Sequence, residues 1–243
     1  MDGKKILETA SIARANQAKR YCIVTSGCSL NQVELNYLCQ VIQKIKESVD
    51  IEICASLGFL TEQAARQLRE AGLNRYNHNL NTSEGFYPRI CTTHTYQDRM
   101  RTLQHARKAG LKLCCGALFG MGESEDDIID VALALRELKV DSIPVNFLHP
   151  IAGTPLENTN YLTPLKCLAI LSLIRFLNPS TEIRIAGGRE YHLRSLQSLA
   201  LYAANSIFTS GYLTTSVANN HVLSYPSSAL RTDVARRLYY EQS

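Results

Sequence analysis

No two of the eight cysteines in this 243-residue chain are spaced as CxxC. That disfavours a zinc ribbon, whose ligands come in such pairs, and any metal site has to be assembled from distant segments. No apolar run approaches the ~20 residues that a membrane span needs. The opening Met-Asp-Gly-Lys-Lys-Ile-Leu-Glu carries no apolar signal core. No Lys/Arg run marks a nucleic-acid track, and the formal net charge is only +4. There is no low-complexity tract. The expectation is a cytoplasmic protein with reduced thiols, no membrane segment and no nucleic-acid partner.

What is present is a long alternation of strand-like runs and amphipathic helices. With 45% hydrophobic residues the chain has ample material for one large core, and its length is near the ~250 residues of an α/β barrel. The strand candidates are 20–26, 51–57, 74–79, 111–118, 142–148, 182–186 and 206–209. Helices are expected over 4–19, 32–47, 61–71, 96–109, 124–138, 163–176 and 190–202. Gly72 and Gly110 mark helix ends, and Thr61 is an N-cap candidate. Repeated βα units imply parallel strands. Seven strands are counted, and the chain opens on a helix that would normally follow a strand. The pattern fits a TIM-type (βα)8 barrel lacking its first strand, with an open seven-stranded sheet as the alternative.

Side chains alternate faces along a strand, so parity sorts them. The outer face of a βα barrel packs on helices and is aliphatic. Ile51 and Ile53 outward send Cys54 inward. Leu113, Cys115 and Ala117 outward send Cys114 inward. Val145 and Phe147 send Asn146 inward, and Ile183 and Ile185 send Arg184 inward. Asn77, Asn79 and Asn81 share the inward parity of the third strand, whereas His78 is expected to pack outward. Cys22 can share the inward set. Thiols and a guanidinium facing one interior point to a metal cluster, and a self-satisfied polar network is the alternative. Cys28 is expected to be an exposed loop thiol, Cys39 and Cys167 to be helix core, and Cys91 has no assigned role.

The stretches Tyr21–Gly27, Tyr76–Ser83, Thr92–Arg99, Gly120–Glu123, Asp141–Leu148, Ile183–Glu190 and Leu201–Phe208 resemble biotin synthase, a radical-SAM family, and the similarity covers about 4–215. The resemblance implies sulfur insertion into dethiobiotin by SAM-derived radical chemistry, the last step of biotin synthesis. It implies an auxiliary [2Fe–2S] cluster held by Cys22, Cys54, Cys114 and Arg184. It places the substrate at Asn77, Asn79 and Asn146, and SAM near Asn79, Asn81, Gly120 and Gly122. Some members carry aspartate at position 81. Glu123 either holds an amine or caps the helix after it. A reducing electron-transfer protein and a homodimer are the partners that the family implies.

The chain also departs from the family. The C-x3-C-x2-C segment that holds the radical-generating [4Fe–4S] cluster is absent, as is the first barrel strand. Residues 1–215 therefore read as an incomplete barrel of biotin synthase type, and 216–243 as a divergent tail with Arg231, Arg236 and Arg237. The expectation is a chain inactive by itself. It is alternatively a non-catalytic remnant or half of a split enzyme, keeping the dethiobiotin pocket and one cluster.

Overall fold

The structure is a computed structural model and describes residues 2–208. The tail from 216 and the Leu213–Thr215 stretch before it lie outside the described residues. In chain order the elements are α1 (Gly3–Ala15), β1 (Arg20–Val24), α2 (Gln32–Ser48), β2 (Glu52–Ser56), α3 (Glu62–Glu70) and β3 (Arg75–Asn77). Then follow α4 (Tyr87–Ile90), α5 (Tyr96–Lys108), β4 (Lys112–Cys114), β5 (Ala117–Phe119), α6 (Glu125–Glu137) and β6 (Ser142–Phe147). The last are α7 (Pro164–Leu177), β7 (Glu182–Ile185), α8 (Arg189–Leu193) and β8 (Ser206–Ile207).

The helices start where their caps dictate. Asn31, Thr95 and Ser124 each accept a bond from the backbone N–H three residues on, and the acid there, Glu34, Asp98 or Asp127, reaches back to complete a capping box. Thr61 caps α3 by accepting from the Ala64 N–H. The expected helix over 190–202 is instead broken. Arg194 adopts φ +49, and the chain goes on in two 3-10 turns, Arg194–Leu196 and Leu199–Tyr202.

All strand pairs are parallel, in the order β1-β2-β3-β4-β6-β7-β8, with β5 also on β6. The β4 and β5 segments are two pieces of one strand, so the described residues contain seven strands, as expected. The break falls at Cys115 and Gly116. A Cβ on Gly116 would lie 1.8 Å from the Pro144 carbonyl oxygen, so only glycine permits this approach to β6.

Among the described residues β1 and β8 pair on one side only. The sheet nevertheless curls enough for side chains of β1 and β7 to meet across its concave side. Arg20 on β1 makes a two-pronged ion pair with Glu182 on β7, Nη2 at 2.5 Å from Oε1 and Nη1 at 3.0 Å from Oε2. Among the described residues the result is a curled partial barrel of seven strands. Its outer face is aliphatic: Ile53, Ala55, Ile143, Val145, Ile183 and Ile185 pack on Leu38 and Ile42 of α2, Val131 and Leu135 of α6, and Ile170 and Ile174 of α7. Burying each large side chain contributes about 1.5–3 kcal/mol. The polar residues fall on the concave side.

Candidate functional site

Strand register builds the site from the inside of the curl. Cys22 on β1 lies beside Cys54 on β2, Cys54 beside Arg75 on β3, and Asn77 beside Cys114 on β4. Neighbours in register share a face of the sheet. Cys22, Cys54 and Cys114 form a buried cluster of their own, apart from the main core. Cys115, one residue along, belongs to the apolar core with zero exposure, and burial pushes its thiol well up. The expected split between adjacent cysteines is therefore seen.

Arg184 is fully buried beside the thiols. Its Nη1 points at Cys114 Sγ at 3.8 Å, its Nε donates to Ser206 Oγ at 2.9 Å, and its Nη2 pairs with Glu182. The guanidinium also sits 5.0 Å from the Phe208 ring centre. Glu182 receives both Arg184 and Arg20, and Ser142 Oγ donates to it at 3.3 Å. Burial raises this carboxyl, but Arg184, Arg20 and Arg75 outweigh it and hold the group at about 2. No group of three or more His, Cys, Asp or Glu among the described residues is arranged for a single metal ion. The donor set is soft thiolate with a cationic surround, which fits an anionic iron–sulfur cluster that spreads its ligands over more than one iron.

Above the thiols, at the C-terminal ends of β1 to β3, a cleft of about 270 Å³ opens. Its lining includes Val24, Cys28, Ser56, Phe59, Asn77, His78, Asn79, Asn81, His94 and Arg99. This is the end of the strands where βα barrels carry their chemistry. Asn77 is buried, and its Oδ1 has no hydrogen-bond partner among the described residues. Asn79 Oδ1 accepts from the Gly116 N–H at 3.0 Å and so braces the broken strand. Asn81 takes a left-handed turn, φ +73, and bridges to Ala117.

Asn146, Gly120, Gly122 and Glu123 lie outside the cleft lining. Asn146 is buried but outside the cleft lining. Its amide is used within the sheet, Nδ2 donating to the Ala117 carbonyl at 3.2 Å and Oδ1 accepting from Gly187 N–H at 3.0 Å. Gly120 and Gly122, at φ +100 and +102, face the chain's own Leu162 and Tyr161. Glu123 neither caps α6 nor reaches the cleft lining: its carboxylate accepts from the Gly120 and Met121 N–H groups at 2.6 and 2.8 Å.

His78 corrects the parity reading. β3 ends at Asn77, so strict alternation does not extend to His78, which borders the cleft edge-on to Phe59 at 5.4 Å between ring centres. Burial, helped by the charges of Arg99 and His94, pushes its imidazole down to about 3 and keeps it neutral. Arg99 was not singled out from sequence. It donates to the Asn79 carbonyl at 2.9 Å and contacts His94 Nε2 at 3.1 Å and the Tyr87 hydroxyl. A cation one helical turn into α5 gives no parity signal, so spacing alone could not find it.

The Radical SAM superfamily profile matches residues 1–135, and the Biotin and Thiamin Synthesis associated domain matches 144–221. Biotin synthase from Acaryochloris marina is 54% identical over 210 residues, covering 86% of this chain and 61% of that protein. Biotin synthase from Bacillus subtilis strain 168 is 52% identical over 210 residues, with 86% and 63% covered. The chain thus spans about three fifths of the length of these curated relatives. Among solved structures, methylornithine synthase superposes with a TM-score of 0.78 at 20% identity, covering 94% of this chain and 70% of that one. The FeFe-hydrogenase maturase of Carboxydothermus hydrogenoformans gives a TM-score of 0.69 at 21% identity, with 82% and 49% covered. Both likenesses speak to the fold. The chain belongs to the radical SAM superfamily and, within it, resembles the biotin synthases at about half identity over most of its length.

Proposed function

We propose that this chain forms the sulfur-donor and substrate-holding part of a biotin synthase, acting in the insertion of sulfur into dethiobiotin. The observation that carries the reading is the set of three buried thiols, with Arg184 against one of them, directly beneath an asparagine-lined cleft. Cys22, Cys54, Cys114 and Arg184 would hold an auxiliary [2Fe–2S] cluster, whose chemistry when bound is to supply sulfide. The chain's own residues do the rest. Asn77 offers an unsatisfied carbonyl oxygen to a ureido N–H, and Asn79 and Asn81 present polar edges to the same cleft. Neutral His78 and Phe59 wall it and limit water. Arg99 lines the cleft, and its charge suits a carboxylate such as that of SAM.

SAM cleavage in this family depends on a [4Fe–4S] cluster, and no three cysteines among these 243 residues have the C-x3-C-x2-C spacing. Its ligands would come from outside these residues. We therefore expect the 243-residue polypeptide alone to bind dethiobiotin and one cluster but to form no 5′-deoxyadenosine. A reducing electron-transfer protein would act with the complete site, in a reducing cytoplasm where thiols stay available to iron. A homodimer is part of the same family-based reading. Among the described residues no helix is long and apolar enough to cross a membrane.

The test is anaerobic reconstitution with iron and sulfide, followed by metal analysis and Mössbauer spectroscopy. One cluster per chain, lost when Cys22, Cys54 or Cys114 is replaced, supports the reading. Deoxyadenosine from SAM and a reductant with this polypeptide alone would overturn the assignment of roles.

A further inference from the structure

Three arginines are buried on the concave side of the sheet. Arg20, Arg75 and Arg184 are all buried, at 2%, 4% and 0% exposure. Glu182 answers Arg20 and Arg184. Glu52 approaches Arg20 at 3.9 Å but is 42% exposed and shared with Lys112. Arg75 is the outlier. Its Nε and Nη1 are buried with no hydrogen-bond partner among the described residues, and it forms no ion pair there. Arg75 shares the face of Asn77 on the same strand, the face that also carries Cys54 and Cys114 on the neighbouring strands. Its backbone is in register with Cys54, and Cys114 faces the residue two further along the same strand. Leaving buried donors unmade costs about 1–3 kcal/mol, and more when they are charged. An anionic ligand among the thiols would remove that cost.

We propose that Arg75 is a second guanidinium of the metal site, donating its two unmade N–H bonds to the anionic cluster that Cys22, Cys54 and Cys114 hold. The inference rests on the cluster reading above and adds a residue to it. Three thiolates make an iron–sulfur centre anionic, and one-electron reduction adds a further negative charge. A fixed cation beside it favours the reduced form and raises the reduction potential. Arg184 already spends its Nε on Ser206 and a second nitrogen on Glu182. Arg75 keeps two donors unmade, a capacity that Arg184 spends on Ser206 and Glu182. It acts by positioning and charge and is no metal ligand.

The experiment compares wild-type chain with Arg75→Met and Arg75→Lys, each with and without reconstituted cluster. The midpoint potential is read by electron paramagnetic resonance titration and the melting temperature by circular dichroism. With cluster, the Met variant is expected to retain iron and sulfide but to titrate at a more negative potential, and the Lys variant to stay near wild type. Without cluster, the Met variant is expected to melt at the same or a higher temperature, because an unsatisfied buried cation has been removed. Arg75→Gln makes the same comparison if the Met variant does not fold. An unchanged potential in the Met or Gln variant overturns the proposal while leaving the cluster reading intact, as does a lower melting temperature of the cluster-free variant. A wild-type chain that binds no iron and sulfide overturns both.

Discussion

At the scale of single residues, two neighbouring thiols make the sharpest contrast. Cys114 sits with Cys22 and Cys54 inside the curl, and Cys115 is sealed in the aliphatic layer outside it. Cys114→Ala is expected to abolish cluster absorbance after reconstitution. Cys115→Ala is expected to keep it, at a stability cost of about 1 kcal/mol for the small cavity. Glu182 makes the second prediction. Its carboxyl is held at about 2 in the folded protein, against an ordinary value near 4.3. Its contribution is therefore complete above the ordinary value and is lost as pH falls toward 2. Glu182→Gln should destabilise the chain by about 3–5 kcal/mol at neutral pH, because two buried guanidiniums lose their anion. It should also flatten the stability curve between about pH 4.5 and 2. Urea unfolding of both proteins across that range checks both claims.

At the scale of elements, the strand rows are where the sequence speaks most clearly and also where it stops. Parity placed Cys54, Cys114 and Arg184 inward because a period of two is unforgiving: the aliphatic residues at 53, 113, 183 and 185 have only one face to occupy. The same rule failed for His78 because β3 is three residues long and alternation has no meaning past its end. Arg20, Arg75 and Glu182 share the inward parity of Cys22, Asn77 and Arg184, but parity gives no sign that Arg20 and Arg184 share one carboxylate. The break of the fourth strand at Gly116 was illegible too, since the close approach there involves the Pro144 carbonyl on another strand. The close approach makes a prediction of its own. Gly116→Ala should cost about 3 kcal/mol and push β5 away from β6. A fall in melting temperature with loss of amide protection at Ala117–Phe119 would register it, and an unchanged protein would mean that the approach is slack.

At the scale of the whole molecule, the ion pair of Arg20 with Glu182 joins residues 162 apart in the chain. Closing a loop of that length costs roughly 4–5 kcal/mol of chain entropy before other contacts shorten it. The strands between them have to assemble, one after another, before the two side chains can meet. The pair is therefore expected to form late in folding, after the rate-limiting step. Arg20→Met should leave the refolding rate within about twofold of wild type and speed unfolding by most of the lost stability, which stopped-flow chevrons resolve. A variant that refolds much more slowly would place the pair in the nucleus instead. If it is late, the lifetime of the native chain, more than the ease of reaching it, hangs on one carboxylate shared between two arginines.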